Sequence, residues 1–249
     1  MQRKLVLAIL SIIILLSVIF LIILLPNASN TPAATSSRIV ITFDDVGKEI
    51  YVWENAYPIL QQYGFKAVAY CTVGSLNASM KTNLKMLVTK GWEIGSHSMT
   101  HPLDLTLLSG DKLLYEILNS KISLEQDLGT SVTSFAYPHS TSNSSVIDVV
   151  AQYYRNARTS SWWAWQSSVW NNSISYEIPS ITIANSNYAY NIPTAINMAK
   201  ASGKTVVLLF HKVVSAGDSA SITPGNFSWC IQQINESKIP VAKIQELTP

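Results

Sequence analysis

Cysteine, glycine and charged residues are all scarce in this chain of 249 residues. Two Cys, ten Gly and ten Pro exclude a disulfide scaffold and a collagen-like fibre. Only 13% of residues are charged, but 48% are hydrophobic and 10% aromatic, which excludes an intrinsically disordered chain. The sequence contains neither a Gly-x-Ser-x-Gly element nor a glycine-rich phosphate-binding motif, which argues against a serine hydrolase and against nucleotide binding.

A long apolar run stands near the N-terminus. Leu5 to Leu25 comprises 21 residues without a charge, and as a helix it rises about 31 Å, enough to cross a bilayer. Because Arg3 and Lys4 precede it, we expect residues 1–25 to form a single-pass signal anchor in the cell membrane, with the remainder of the chain outside. Residues 26–37 then form a flexible stalk, and cleavage within this segment is the alternative.

The remainder of the chain has no net charge. Of the 17 Lys and Arg residues, two precede the apolar run, which leaves 15 basic and 15 acidic residues without a basic cluster, so no nucleic-acid partner is expected. Six Asn-x-Ser/Thr sequons fit a glycoprotein outside the cell, although an Asn- and Ser-rich composition also explains them. They begin at Asn27, Asn77, Asn143, Asn171, Asn226 and Asn235. Cys71 and Cys230 could pair there, which the sequence does not decide.

Short apolar strands alternate with helical segments from Arg38 onward. Ile39–Phe43 and Thr205–Phe210 are β-branched or strongly apolar runs typical of buried strands. The helical pattern from Ser109 ends at Gly129, as expected for a glycine that terminates a helix. Alternation with short loops indicates parallel βαβ units. About seven such units within residues 38–249 predict an α/β domain and favour a barrel over an open sheet.

Three of the predicted strands end in Asp or His. Asp44 and Asp45 follow the first strand, His97 and His101 follow the third, and His211 follows the strand that ends at Phe210. Each motif alone has an ordinary explanation, such as a turn, a helix cap or a hydrogen-bonded core histidine. Together they predict one cluster, because functional side chains gather at the carboxyl ends of parallel strands. Asp and His ligands suit a catalytic divalent ion, and zinc above others.

In their order along the chain, the motifs resemble those of the polysaccharide deacetylase family, the NodB-homology carbohydrate esterases. They are Thr42-Phe43-Asp44-Asp45, His97-Ser98-Met99-Thr100-His101-Pro102, Phe135-Ala136-Tyr137-Pro138 and Leu208-Leu209-Phe210-His211. The resemblance covers residues from about Arg38 to Leu247. It implies a distorted (β/α) barrel with about seven parallel strands that hydrolyses an acetamide, or sometimes an acetate ester, on a sugar.

The resemblance also implies a role for each residue of the cluster. Asp45, His97 and His101 are expected to bind one divalent ion, which lowers the pKa of bound water. Asp44 is expected to act as the general base, and His211 as the general acid that protonates the leaving amine. A backbone N–H near the third motif is expected to stabilise the oxyanion. The residues expected at the substrate in this motif are Tyr137, Pro138 and His139.

Three departures from the family pattern affect the base and the substrate. Many members carry an Arg that holds the base carboxylate at the position occupied here by Ala136. A Tyr-Gly pair commonly follows the motif's Pro, and this chain has His139-Ser140 instead. The Asp and Trp of the usual fourth motif have no clear match, although Arg155 or Arg158 could partly replace them.

A tryptophan-rich loop follows the strand-like segment near residue 158. It contains Trp162, Trp163, Trp165 and Trp170. Aromatic faces stack on sugar rings, so Trp163 and Trp165 are candidate substrate contacts, and packing within the loop or contact with the membrane interface are the alternatives.

The sequence therefore predicts a membrane-anchored, metal-dependent enzyme that removes N-acetyl groups from a cell-surface or extracellular polysaccharide. An O-acetyl esterase or a small-amide hydrolase with the same fold is the first alternative. The second is a non-catalytic glycan-binding surface protein, which is disfavoured because all five metal and acid–base residues are present.

Overall fold

The computed structural model of this protein describes residues 37–47, 52–160 and 169–247. The predicted anchor, 1–25, lies outside the described residues, as do Trp163, Trp165 and the predicted stalk except for its last residue. Across the described ranges, no helix is both long enough and apolar enough to cross a membrane. The described residues belong to one unit of the chain, Ser36–Pro249.

Strands and helices alternate through most of the described chain. In chain order, the strands are β1 (Arg38–Val46), β2 (Val68–Cys71), β3 (Glu93–Ser96), β4 (Ser134–Ala136), β5 (Asn156–Arg158), β6 (Ile181–Thr182), β7 (Thr205–Phe210), β8 (Lys212–Val213), β9 (Ser221–Ile222) and β10 (Val241–Ala242). The α-helices are α1 (Tyr57–Gln62), α2 (Ala78–Thr89), α3 (Gly110–Leu114), α4 (Ser120–Leu128), α5 (Ser144–Tyr153), α6 (Tyr188–Ser202) and α7 (Pro224–Ser237). A π-helical turn, Val52–Ala56, leads into α1, and another, Tyr115–Asn119, joins α3 to α4.

Seven strands form a curled parallel sheet in the order β5-β4-β3-β2-β1-β7-β6. β1 lies between β2 and β7, paired with β7 along Arg38–Phe43 and with β2 from Thr42 onward, and the short β10 pairs with the first residues of β1. Beyond β5, Arg158 forms a parallel bridge to Ile178, three residues before β6, which brings the two ends of the sheet towards each other. The predicted parallel α/β architecture is confirmed as a half-barrel of seven strands.

The two faces of the sheet are buried by different partners. Alternate β1 residues Ile39, Ile41 and Phe43 join the large core cluster that includes the helices. Val40 points to the opposite face, where it joins a smaller cluster that also contains Tyr70 of β2. Because the helices pack on the first face, this second face is the inside of the curl.

A proline inside one helix and a glycine at the end of another mark two of the helices. α6 begins at Tyr188 and contains Pro193 in its interior, because tertiary packing of Ile192 and Ala195 outweighs the missing N–H of the proline. Gly129 ends α4 with φ of 66°, as predicted. Cys71 and Cys230 are both buried and free, so the possible disulfide is not formed.

Candidate active site

The acidic and histidine motifs meet at the carboxyl-end rim of the sheet. Phe43 of β1 lies opposite Phe210 of β7, so the next residues, Asp44 and His211, leave their strands at the same level. His97 follows β3, which is separated from β1 only by β2. The sheet therefore converts three motifs that are distant in sequence into one cluster.

A register shift in β1 separates the two aspartates. The pairing with β2 shifts between Phe43 and Val46, and Asp45 adopts a positive φ of 56°. Such an irregularity re-aims the side chains of a strand. Asp44 is consequently buried, with 6% of its surface exposed, whereas Asp45 lies closer to solvent at the rim.

Asp45, His97 and His101 form a group suited to hold a metal ion. One potential ligand atom from each lies within 4.8 Å of the others, and His101 Nε2 is 3.3 Å from Asp45 Oδ1. The backbone carbonyl of Ala136 accepts a hydrogen bond from His97 Nδ1 at 2.8 Å, which leaves the Nε2 lone pair free for a ligand. Burial lowers the pKa of His97 despite the opposing charge of Asp44, so the ring is neutral, as a metal ligand must be. These donors fit a divalent ion of borderline character.

Arg158 holds the carboxylate of Asp44. Its Nη2 donates to both carboxylate oxygens at 2.5 Å, its Nη1 donates to Ser180 Oγ at 3.2 Å, and its guanidinium lies over the Tyr70 ring at 5.1 Å. Burial by itself raises the pKa of Asp44, but the charge of Arg158, with smaller electrostatic effects of His97 and His211, brings that pKa below its ordinary value. Asp44 is therefore a buried carboxylate, able to accept a proton.

Sequence reasoning did not assign Arg158 to Asp44. Ala136 occupies the place where many family members carry the arginine, but Ala136 and Arg158 are register partners on the neighbouring strands β4 and β5. The guanidinium of Arg158 thus reaches the carboxylate of Asp44 from β5, past the small side chain of Ala136 on β4. Arg155, the other candidate, is exposed. It lies just before β5, and its backbone N–H donates to the carbonyl of Thr133.

His211 lies at the end of β7, close enough to Asp44 to lower that residue's pKa. Its Nδ1 is buried and has no hydrogen-bond partner within the described part of the chain. His211 therefore lies next to Asp44 with one ring nitrogen that no described group satisfies.

The residues of the third motif divide between the core and the rim. Tyr137 and Pro138 are buried, and the Tyr137 ring packs edge-on against Phe135 at 5.4 Å, on the helix-bearing face of the sheet. His139 is exposed, has a positive φ of 52°, and places its ring 4.6 Å from that of His101. Of these three predicted substrate residues, His139 is the one whose ring contacts the metal-site group.

Trp170 is the described member of the tryptophan-rich loop. It is 3% exposed and belongs to the cluster inside the curled sheet. Its backbone pairs with Thr205, and its Nε1 donates to the carbonyl of Ser173 at 2.9 Å. Trp170 is therefore a core residue.

A curled parallel sheet with an Asp-His-His group and a buried Asp–Arg pair at its rim defines an α/β protein with a candidate hydrolytic metal site. The polysaccharide deacetylase family profile matches residues 32–156, half of the chain. The chain belongs to the polysaccharide deacetylase family, which confirms the resemblance in the sequence motifs.

Individual curated relatives match only part of the chain, at low sequence identity. The provisionally named polysaccharide deacetylase YxkH of Bacillus subtilis (strain 168) is 29% identical over 103 residues, which is 40% of this chain and 36% of YxkH. The match thus spans about a third of that relative's length.

Solved structures share the fold. The peptidoglycan deacetylase PdaC from Bacillus subtilis is 18% identical, with a TM-score of 0.58 over 86% of this chain and 91% of PdaC. A family 4 acetyl xylan esterase from Clostridium thermocellum, in complex with a cobalt ion, is 17% identical, with a TM-score of 0.60 over 84% of this chain and 89% of the esterase.

Proposed function

We propose that this protein is a metal-dependent hydrolase that removes N-acetyl groups from a cell-surface or extracellular polysaccharide. The observation that carries the proposal is the Asp45-His97-His101 group beside a buried, ionised Asp44 at one rim of the sheet. Family membership and the fold shared with a peptidoglycan deacetylase support this assignment.

The residues present fit a catalytic zinc ion. Two imidazoles and one carboxylate are a common ligand set for catalytic zinc, which keeps further positions open for water and substrate. Zinc held there supplies Lewis acidity and increases the acidity of water bound to it. The Clostridium thermocellum esterase of the same fold is in complex with a cobalt ion, which supports a metal ion here as well.

The chain's own groups then perform the proton transfers. Asp44, ionised and held in place by Arg158, accepts the proton of the attacking water. His211, which follows β7 next to β1 at the same rim, donates a proton to the departing sugar nitrogen, which is a poor leaving group without one. The backbone N–H of His139 is available to stabilise the negative charge that develops on the acetyl oxygen. Together these residues complete the hydrolysis of an acetamide.

The direct test is acetate release by the purified full-length protein from a panel of N-acetylated and O-acetylated glycans. We expect activity that is lost on chelation and restored by zinc. Asp44→Asn should abolish release without releasing zinc, because it removes the base and keeps the ligands. Zinc-loaded protein that releases no acetate from any glycan, with Asp44→Asn indistinguishable from wild type, contradicts the proposal.

Hydrolysis of acetate esters is a second candidate, favoured by the fold shared with an acetyl xylan esterase. An alkoxide leaves with less need of a proton than an amine does. His211→Ala should therefore reduce release from an N-acetyl substrate far more than release from an O-acetyl substrate. If the natural substrate is the ester, the variant retains most activity on it.

We infer that this activity lies outside the cell. The 21-residue apolar run behind Arg3 and Lys4 supports a single-pass anchor with an extracellular catalytic domain. Protease added to intact cells should then degrade the domain, and cell lysis should not be needed. Protection of the domain until lysis contradicts this location.

A further inference from the structure

The loop that carries both metal-site histidines is bonded to a buried carboxylate outside the site. Glu116 lies in the π-helical turn Tyr115–Asn119 and is 5% exposed. Its Oε2 accepts the N–H of Thr100 at 2.8 Å, and its Oε1 accepts the Thr100 hydroxyl at 2.6 Å. Thr100 immediately precedes His101, so Glu116 fixes the backbone from which that ligand projects.

A second chain of hydrogen bonds joins the same helix to the same loop. Ser120 Oγ donates to the carbonyl of Glu116 at 2.7 Å and lies 2.8 Å from Ser96 Oγ. Because a carbonyl can only accept, Ser96 donates to Ser120 and is left to accept the N–H of Ser98 at 3.2 Å. Ser98 Oγ in turn accepts the N–H of His101 at 2.9 Å.

The loop needs such restraint because its backbone is unfavourable. Ser98 and His101 have positive φ values of 66° and 58°, a region that non-glycine residues adopt only where surrounding contacts enforce it. The N–H of Gly74 also holds this loop, donating to the carbonyl of Met99 at 2.8 Å. A Cβ at Gly74 would lie 2.9 Å from that carbonyl oxygen, so the approach is close as well.

We propose that Glu116 is a positioning residue of the metal site, which holds Thr100 so that His101 faces Asp45. The inference rests on the proposed metal-dependent function. Glu116 is not one of the three grouped ligand residues, and its bonds reach them only through the backbone of the 97–101 loop. Mutation of residues that orient metal ligands in this way typically weakens metal binding by about 10–100-fold.

The test measures the Zn²⁺ affinity of the full-length protein by competition with a chelating indicator. Glu116→Met removes both acceptors at similar side-chain length, and we expect the dissociation constant for Zn²⁺ to rise by about 10-fold or more. Glu116→Gln should recover most of this loss, because its amide oxygen accepts the Thr100 N–H and its amide group donates to the hydroxyl. Recovery by Gln distinguishes hydrogen bonding from a simple effect of negative charge.

Glu125→Met provides the matched control. Glu125 lies on α4 and likewise accepts a backbone N–H, from Val132 at 2.9 Å, and a side-chain donor, Lys121 Nζ, at 2.7 Å. Its replacement should lower the melting temperature without changing Zn²⁺ affinity. The proposal is overturned if Glu116→Met behaves like this control, with a lower melting temperature and a wild-type affinity.

Two further outcomes are informative. If Glu116→Met does not fold, Thr100→Val carries the test, since it removes only the hydroxyl donor, and a wild-type Zn²⁺ affinity in that variant overturns the proposal. Wild-type protein that binds no Zn²⁺ contradicts the proposed function itself. Failure of this inference alone leaves wild-type binding intact, so the two failures are distinguishable.

Discussion

Replacing Arg158 by methionine should leave the carboxylate of Asp44 buried without its cation. The two side chains are 1% and 5% exposed, and removing one partner of a buried ion pair costs about 3–5 kcal/mol. We therefore expect the free energy of unfolding of Arg158→Met to fall by about 3 kcal/mol at pH 7, towards the lower limit because Asp44 can take up a proton. Urea unfolding of chelator-treated protein measures this without a contribution from bound metal.

The pH dependence of this loss has a defined sign. In the wild type the lowered pKa of Asp44 adds stability above its ordinary value of 3.8, and this stability is lost as pH falls through the folded-state value. Without Arg158, burial dominates and raises the pKa, so the variant loses stability as pH rises instead. The difference between wild type and Arg158→Met should therefore be small near pH 4 and largest at neutral pH.

A double-mutant cycle isolates the pair. Asp44→Asn combined with Arg158→Met removes both charges, so the double variant should be more stable than the sum of the two single losses predicts, by about 2 kcal/mol. Strictly additive losses, or a stability of Arg158→Met that does not depend on pH, contradict a contribution of this ion pair to the free energy of unfolding.

Three other predictions concern the site and the core. Asp44→Asn and His211→Ala should each retain zinc but lose on the order of 10²–10⁴ in kcat; loss of zinc from Asp44→Asn shows that the two aspartates have exchanged roles. His101→Ala should reduce zinc content sharply in elemental analysis of the purified protein, and full retention contradicts the ligand assignment. Burial raises the pKa of Glu93 to about 6, above its ordinary 4.5, so its contribution to stability falls as pH rises through 6. Glu93→Gln should thus gain about 2 kcal/mol over wild type at pH 8 and little near pH 4, by urea unfolding; an equal gain at both pH values contradicts it.

Much of the fold followed from local patterns in the sequence. The apolar run Thr205–Phe210 predicted β7 with the bounds that the structure has, because a strand buried on both faces needs apolar side chains throughout. Gly129 marked the end of a helix, because the left-handed conformation there costs glycine little. The alternation of strands and helices predicted parallel pairing. In parallel sheets the functional side chains gather at the carboxyl ends of the strands, and this selected the candidate site residues Asp44, Asp45, His97, His101 and His211.

Only the tertiary structure determined how these residues divide their work. The register shift in β1 that buries Asp44 and turns Asp45 to the rim depends on pairing with β2, which no pattern within residues 38–46 encodes. The partner of Asp44 was equally hidden. Arg158 lies 114 residues from Asp44 in sequence, and what joins them is the register of β5 against β4. An ion pair such as Arg158–Asp44 forms between groups that are close in space, and the folding of the whole sheet determines which groups are close.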